Sequence, residues 1–441
     1  MPTPVAGTPG LFAWHDGVDA SLAGKLDSTV ASSTYAPVAE PLAVKLAGDL
    51  SGTVAAPTVP GLALKVDRDS LTGSNTRGAG TNALAAITTG TLNTASGYNA
   101  LAAHTTGSYN TALGYTALSQ STNASGNTAV GASSLAAVVG GGNNTAIGGF
   151  ALRVLTSGSA NVAIGYAALL AATTATSCIA VGQNALMAFT TAAPNIAIGS
   201  GALQTNVTGP NNIAIGANAL FAATAGPNIA IGVSSMTALT TGTRNTAVGH
   251  GTMSSNTTGY TNTAIGDATL GFNTTGIYNT AVGCDSQKIV TTGNRNTGLG
   301  VNALAALTTG SSNTAVGTGS GGAGATIATG SFNTYVGETA GPNTGDPSYA
   351  LGLGAYTVAG ANGSVAIGTD SGGIGASTTV ANEVKLGTAN HTVRVAGTLR
   401  IDTATATTVG AAGAAAAIPT PVGYLPVSIG GVTYKIPYVN V

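Results

Sequence analysis

The chain has 441 residues, of which only 6% are charged, and its formal net charge is −1. Gly fills 66 positions, about double its ordinary share of ~7%. So neutral a chain has no basic patch for phosphate contacts, which argues against nucleic-acid binding. Gly, Thr, Ser and Asn break every apolar run well before the ~20 residues a spanning helix needs, so no membrane insertion is expected.

Residues 1–72 read as an N-terminal attachment and stalk region. Half of the acidic residues lie here: Asp16, Asp19, Asp27, Glu40, Asp49, Asp67 and Asp69. Leu22, Leu26 and Val30 keep helical spacing until Pro37 and Pro41 end it. The expectation is short helical or coiled-coil pieces joined by extended links. Such pieces bury too little surface to stand alone and should be intertwined with partner chains. Phe12 and Trp14 form an early aromatic patch. It suits docking into a socket of a larger particle, with burial in a small local core as the alternative. No basic region followed by an apolar core opens the chain, so no secretory leader is expected.

From about residue 73 to 370 one phrase repeats: Asn-Thr-Ala-Val/Ile-Gly, then Ala-Leu, then a polar run often ending Thr-Thr-Gly. The Asn stands at 93, 110, 127, 144, 161, 195, 212, 228, 245, 262, 279, 296 and 313, with Cys178 in the one missing slot. The step is 17 residues, except for 16 between Asn212 and Asn228. A strict period of this length marks a stack of identical units. Within each unit Thr-Ala-Val is a short strand, and the following Gly makes a corner. Ala and Val/Ile point to opposite faces of that strand, and both faces are apolar. A strand that is apolar on both faces is a covered strand. One face can pack inside its own coil, and the other calls for a sister chain. The Ala-Leu pairs, such as Ala100-Leu101 and Ala219-Leu220, supply a second wall.

The expected fold is therefore all-β: a parallel β-solenoid or β-roll of about 17-residue coils, homotrimeric, with a short coiled-coil or extended N-terminal stalk and a small C-terminal β tip. Equivalent glycines from Gly80 to Gly387 give about nineteen coils, or ~90 Å of rod. Helix is the structural alternative, but Gly and Asn at fixed places are poor helix material.

Residues 371–410 read as strands joined by turns, with Val384 and Leu386 in one alternating set and Val393 and Val395 in another. Residues 411–441 read as an Ala/Pro linker followed by a hairpin tip, turning at Gly430-Gly431. Tyr424, Tyr434 and Tyr438 in that tip are candidate receptor-binding residues, with closure of the trimer end as the alternative.

A catalytic constellation is hard to find. Glycan cleavage needs two carboxylates ~5–9.5 Å apart, yet no Asp or Glu occurs between Asp69 and Asp267. Asp267 and Asp285 fall on adjacent coils, where solvated turn carboxylates are the plain reading. His15, His104, His250 and His391 are scattered, so no metal site is expected. No phosphate loop or nucleophile triad stands out, and no cofactor or enzymatic activity is expected. The Thr-Thr-Gly turns give a threonine ladder of the kind ice-binding solenoids show, though Thr also simply suits exposed strands. Tyr98, Tyr115 and Tyr166 follow the coil Gly, while Tyr109, Tyr260 and Tyr278 lie just before the motif Asn. They are expected to cover coil edges, with sugar stacking as the alternative. Cys178 and Cys284 sit six coils apart, too far for a disulfide.

The Asn-x-Ala-Ile-Gly phrase resembles the head repeats of YadA-type trimeric adhesins, although the period here is longer. The end segments are similar to parts of bacteriophage tail-fibre proteins: Gly48-Asp49-Leu50-Ser51-Gly52-Thr53, Gly387 to Gly397, and Gly423-Tyr424-Leu425 through Ile436-Pro437-Tyr438. What this resemblance implies is a homotrimeric virion fibre on the tail, baseplate or head, working outside the cell. It would dock on other tail, baseplate or capsid proteins through its N-terminal region and present its distal end to a host-surface glycan or protein. A bacterial trimeric surface adhesin is the second expectation.

Overall fold

A computed structural model of the chain describes residues 76–191, 194–322, 328–343, 345–369 and 375–387, together with the backbone of 423–429 and 432–438. The attachment and stalk region, with Phe12 and Trp14, lies outside the described residues.

The repeat folds as a parallel β-solenoid. Nineteen three-residue strands, from Arg77–Ala79 to Val384–Leu386, form one sheet. Each strand pairs in parallel with the strand one coil on, in strict register: Thr246 faces Thr263, Ala247 faces Ala264, and Val248 faces Ile265. At ~4.8 Å per strand the sheet measures ~86 Å across. Among the described residues there is no helix. A separate antiparallel hairpin pairs Gly423–Ile429 with Val432–Tyr438, and Ile429 faces Val432 beside the turn.

Backbone chemistry fixes the coil. From Gly80 to Gly354 the glycine that ends each strand holds φ between 118° and 139°. A Cβ on Gly249 would stand 2.2 Å from the carbonyl oxygen of Gly266 in the next coil. Only glycine supplies both the angle and the space. Four residues further on, the leucine of the Ala-Leu pair is also left-handed, with φ 51° at Leu101 and 50° at Leu220. For an L-residue that geometry costs ~1–2 kcal/mol. Complete burial of the leucine side chain offsets it at ~1.5–3 kcal/mol. A backbone bond from Leu101 N to Ala117 O (3.0 Å) ties the leucine to the next coil.

The core is narrow and continuous. The strand alanine (Ala112, Ala146, Ala197, Ala247) and the leucine or methionine column are fully buried. The Ala column is thus the inward one, and the Val/Ile column points outward with Thr.

Beside the core runs a ladder of fully buried asparagines. Asn144 donates from both N and Nδ2 to Asn127 Oδ1 at 3.0 Å, and from Nδ2 to Gly158 O at 3.0 Å. Its own Oδ1 accepts the same pair of bonds from Asn161. Each asparagine therefore satisfies backbone groups that the three-residue strand leaves over. A second ladder lies nearer the surface, where Thr88 Oγ1 donates to Thr105 O (2.9 Å) and Thr257 Oγ1 to Thr274 O (3.0 Å).

The interior adapts where the sequence departs from the repeat. Tyr335 replaces the strand alanine and is fully buried, and Gly352 stands in the alanine slot of the next coil. A Cβ on Gly352 would lie 3.1 Å from the Tyr335 ring. Likewise Gln287 takes a leucine slot, and the adjacent strand carries Gly298 in place of alanine, where a Cβ would meet the Gln287 side chain at 3.1 Å.

Candidate functional site

The outward columns of the sheet form a surface that runs along all nineteen strands. They hold the first and third residues of every strand, while the middle residue points inward. From Thr94 to Ile367 neither column contains a charged residue. In most coils the first column is Thr, and the third is Val, Ile or Leu.

Five consecutive strands depart from that mix. Val162–Ile164, Ile179–Val181, Ile196–Ile198, Ile213–Ile215 and Ile229–Ile231 are aliphatic at both outward positions. Ten branched side chains therefore cover a patch ~19 Å long. Ile164, Ile198 and Ile231 remain 37–38% exposed. An ordered aliphatic array open to water is a surface for another apolar surface. It offers no proton donor, nucleophile or ligand atom.

The titratable groups lie elsewhere and far apart. His250 Nδ1 meets Asp267 Oδ1 at 3.0 Å, and Lys288 Nζ meets Asp285 Oδ1 at 3.0 Å, all exposed or half-exposed. Both coil carboxylates thus have a side-chain nitrogen partner at the surface. Among the described residues no three His, Cys, Asp or Glu side chains come together as a metal-holding group. Within the same residues no helix is long and apolar enough to cross a membrane. His104 is fully buried, with Nε2 2.8 Å from Gly107 O and Nδ1 3.2 Å from Ser121 Oγ. Burial lowers its pKa, against the opposing pull of the Gly107 and Ser121 contacts. The tautomer that satisfies both contacts donates from Nε2 and accepts at Nδ1. Cys178 is buried and Cys284 exposed, and both are free thiols. Burial pushes the Cys178 thiol up, partly opposed by the backbone of Asn195.

Of the candidate receptor-binding residues, Tyr424 is paired with Pro437, Tyr434 with Val427 and Tyr438 with Gly423. By that register Tyr434 and Tyr438 share one face of the hairpin, and Tyr424 occupies the other.

The coil-edge aromatics pair across neighbouring coils. Tyr98 stacks on Tyr115 (5.4 Å between centroids), Phe150 meets Tyr166 edge-on (5.7 Å), and Tyr260 meets Tyr278 edge-on (5.6 Å). Sequence reasoning missed Phe332, which stacks on Tyr349 at 5.0 Å. Both occupy the slot of Tyr109 and Tyr278, directly before the motif position. The expanded 20-residue step from Asn313 to Asn333 hides that equivalence.

No protein-family model, no curated protein and no solved structure matches the chain. The chain is a repeat protein of the β-solenoid type.

Proposed function

We propose that this chain is a structural and adhesive subunit of a virion fibre, homotrimeric, which attaches a phage to its host surface by binding without catalysis. The observation that carries the reading is the uncharged outward face of the sheet, aliphatic at both columns over five coils. Three copies, each turning this face to its sisters, remove it from water. Self-association suits it because no charge on either column opposes a like surface. Stacked coils hold the distal end away from the particle, and three chains add avidity to weak single contacts. The virion assignment is supported by the end segments that resemble phage tail fibres. The N-terminal region then docks on other tail, baseplate or capsid proteins, and the distal part meets a glycan or protein of the host.

The second reading is a bacterial trimeric surface adhesin, favoured by the likeness of the repeat to YadA-type heads. Gold-labelled antibody against the chain separates the two. Label on fibres of virus particles, together with blocked adsorption, supports the first reading. Label confined to the envelope of uninfected bacteria replaces it with the second.

A further inference from the structure

The residue just before the motif position is left-handed in most coils, with φ between 56° and 63° at its occupants other than Gly and Pro. Local stereochemistry favours Gly or Asn there, and Gly126, Asn143 and Asn211 meet that preference. Yet Tyr278, Phe332 and Tyr349 also occupy it, at 46%, 54% and 66% exposure. Bulky aromatics held in unfavourable backbone and left open to water gain little from their own coil. Such an outlier points towards function.

Around Tyr278 the edge is also cationic. Arg295, one coil on, places its guanidinium 5.6 Å from the Tyr278 ring centre. Tyr260, one coil back, meets the same ring edge-on. Arg244 lies on the same edge one coil before Tyr260. Neither arginine has an ion-pair partner among the described residues. Asn294 and Ser311 already serve the backbone of this edge, Asn294 Oδ1 accepting from Ile277 N and Ser311 Oγ from Asn294 N. The aromatic and guanidinium groups, packed on one another and still exposed, are therefore the ones a ligand can meet.

We propose that Arg244, Tyr260, Tyr278 and Arg295 form a lateral binding platform for an acidic polysaccharide lying along the solenoid. This deepens the adhesive reading above and rests on it. Tyrosine faces accept the C–H face of a sugar ring, through the negative potential of the aromatic ring. Arginine forks bind carboxylates bidentately and stack on aromatics at the same time. Two arginines over four coils are too few to track the phosphates of a nucleic acid, which binds by releasing many counterions.

The test is affinity electrophoresis of the full chain through gels containing polygalacturonate, a uronic-acid polymer, or neutral dextran, with an oligo-dT shift alongside. The expected result is retardation by polygalacturonate and by neither of the others. Tyr278→Asn should weaken retention about tenfold, because the stacking partner is lost, while thermal stability stays level or rises, because Asn suits the left-handed backbone. Arg295→Ala should also weaken retention. Unretarded parent protein, unchanged retention in both variants, or a shift with oligo-dT alone overturns the proposal. Each of those results leaves the fibre reading standing if the antibody label still marks virus particles. Retention by a chain found only on bacteria would instead remove the virion assignment and keep the platform.

Discussion

At the scale of single residues, the presence or absence of one methyl group decides whether a coil closes. Gly249 combines φ 139° with a backbone oxygen where its Cβ would go. Gly251, two residues later, has φ 61° and nothing within 4 Å. Gly251→Ala should therefore lose only ~1 kcal/mol, for the left-handed backbone. Gly249→Ala should lose clearly more than ~1 kcal/mol, because the adjacent coil must also move. Denaturant midpoints of the two variants measure the difference, and equal midpoints would contradict the close-approach account. His104 gives a pH prediction. Its folded pKa lies below the ordinary 6.5, so between those values the unfolded chain binds a proton that the folded chain does not. Stability is thus full above about pH 6.5 and falls as pH drops towards the folded pKa. Equivalent interior slots hold Asn206 and Asn256, each bonded to a turn glycine. His104→Asn should flatten the acid-side loss, read as hydrogen exchange in coils 93–127 at several pH values. A pH response that survives this substitution would place the effect elsewhere.

At the scale of the repeating element, the asparagine ladder is what makes three-residue strands workable. Between Asn93 and Asn333 its one interruption is Cys178, whose N donates to Asn161 Oδ1 at 2.9 Å and whose thiol lies 3.7 Å from Thr176 O. A thiol replaces the amide that would otherwise bond to both neighbouring coils. Cys178→Asn should restore the ladder and stabilise locally by ~1 kcal/mol, the net value of a hydrogen bond. Slower amide exchange at Asn195 is the readout, and unchanged exchange would mean that the ladder is not a stabilising unit. The period, the strand and the Gly corner were all legible in the sequence, since each depends on residue types that recur in place. The inward choice of Ala over Val/Ile was not legible, because both are apolar and period two cannot say which column faces the coil. The left-handed leucines carried no signal either, since leucine rarely adopts that backbone and tertiary packing overrides the preference. Tyr335 with Gly352, and Gln287 with Gly298, compensate across coils, which a reading along the chain does not connect.

At the scale of the whole molecule, the proposed association rests on the outward aliphatic face. The coil interior is already filled, so this surface can be altered without touching the core. Ile213→Lys with Ile215→Lys places two cations in the centre of the patch, where three chains would have to bury six. The double variant should keep its β-type circular dichroism and lose self-association. A variant that remains assembled would show that the strands face solvent and that another surface holds the chains together. The edge aromatics were visible as residue types in the sequence, but their pairing needed the coil geometry that sets them one strand spacing apart.

Sedimentation equilibrium of the purified full-length chain tests the central claim most directly. A covered outward face predicts a particle of three times the 42.1 kDa chain mass, undissociated on dilution and at high salt, as apolar contact requires. A monodisperse species of 42.1 kDa would leave ten aliphatic side chains in water on a solitary solenoid and contradict the account.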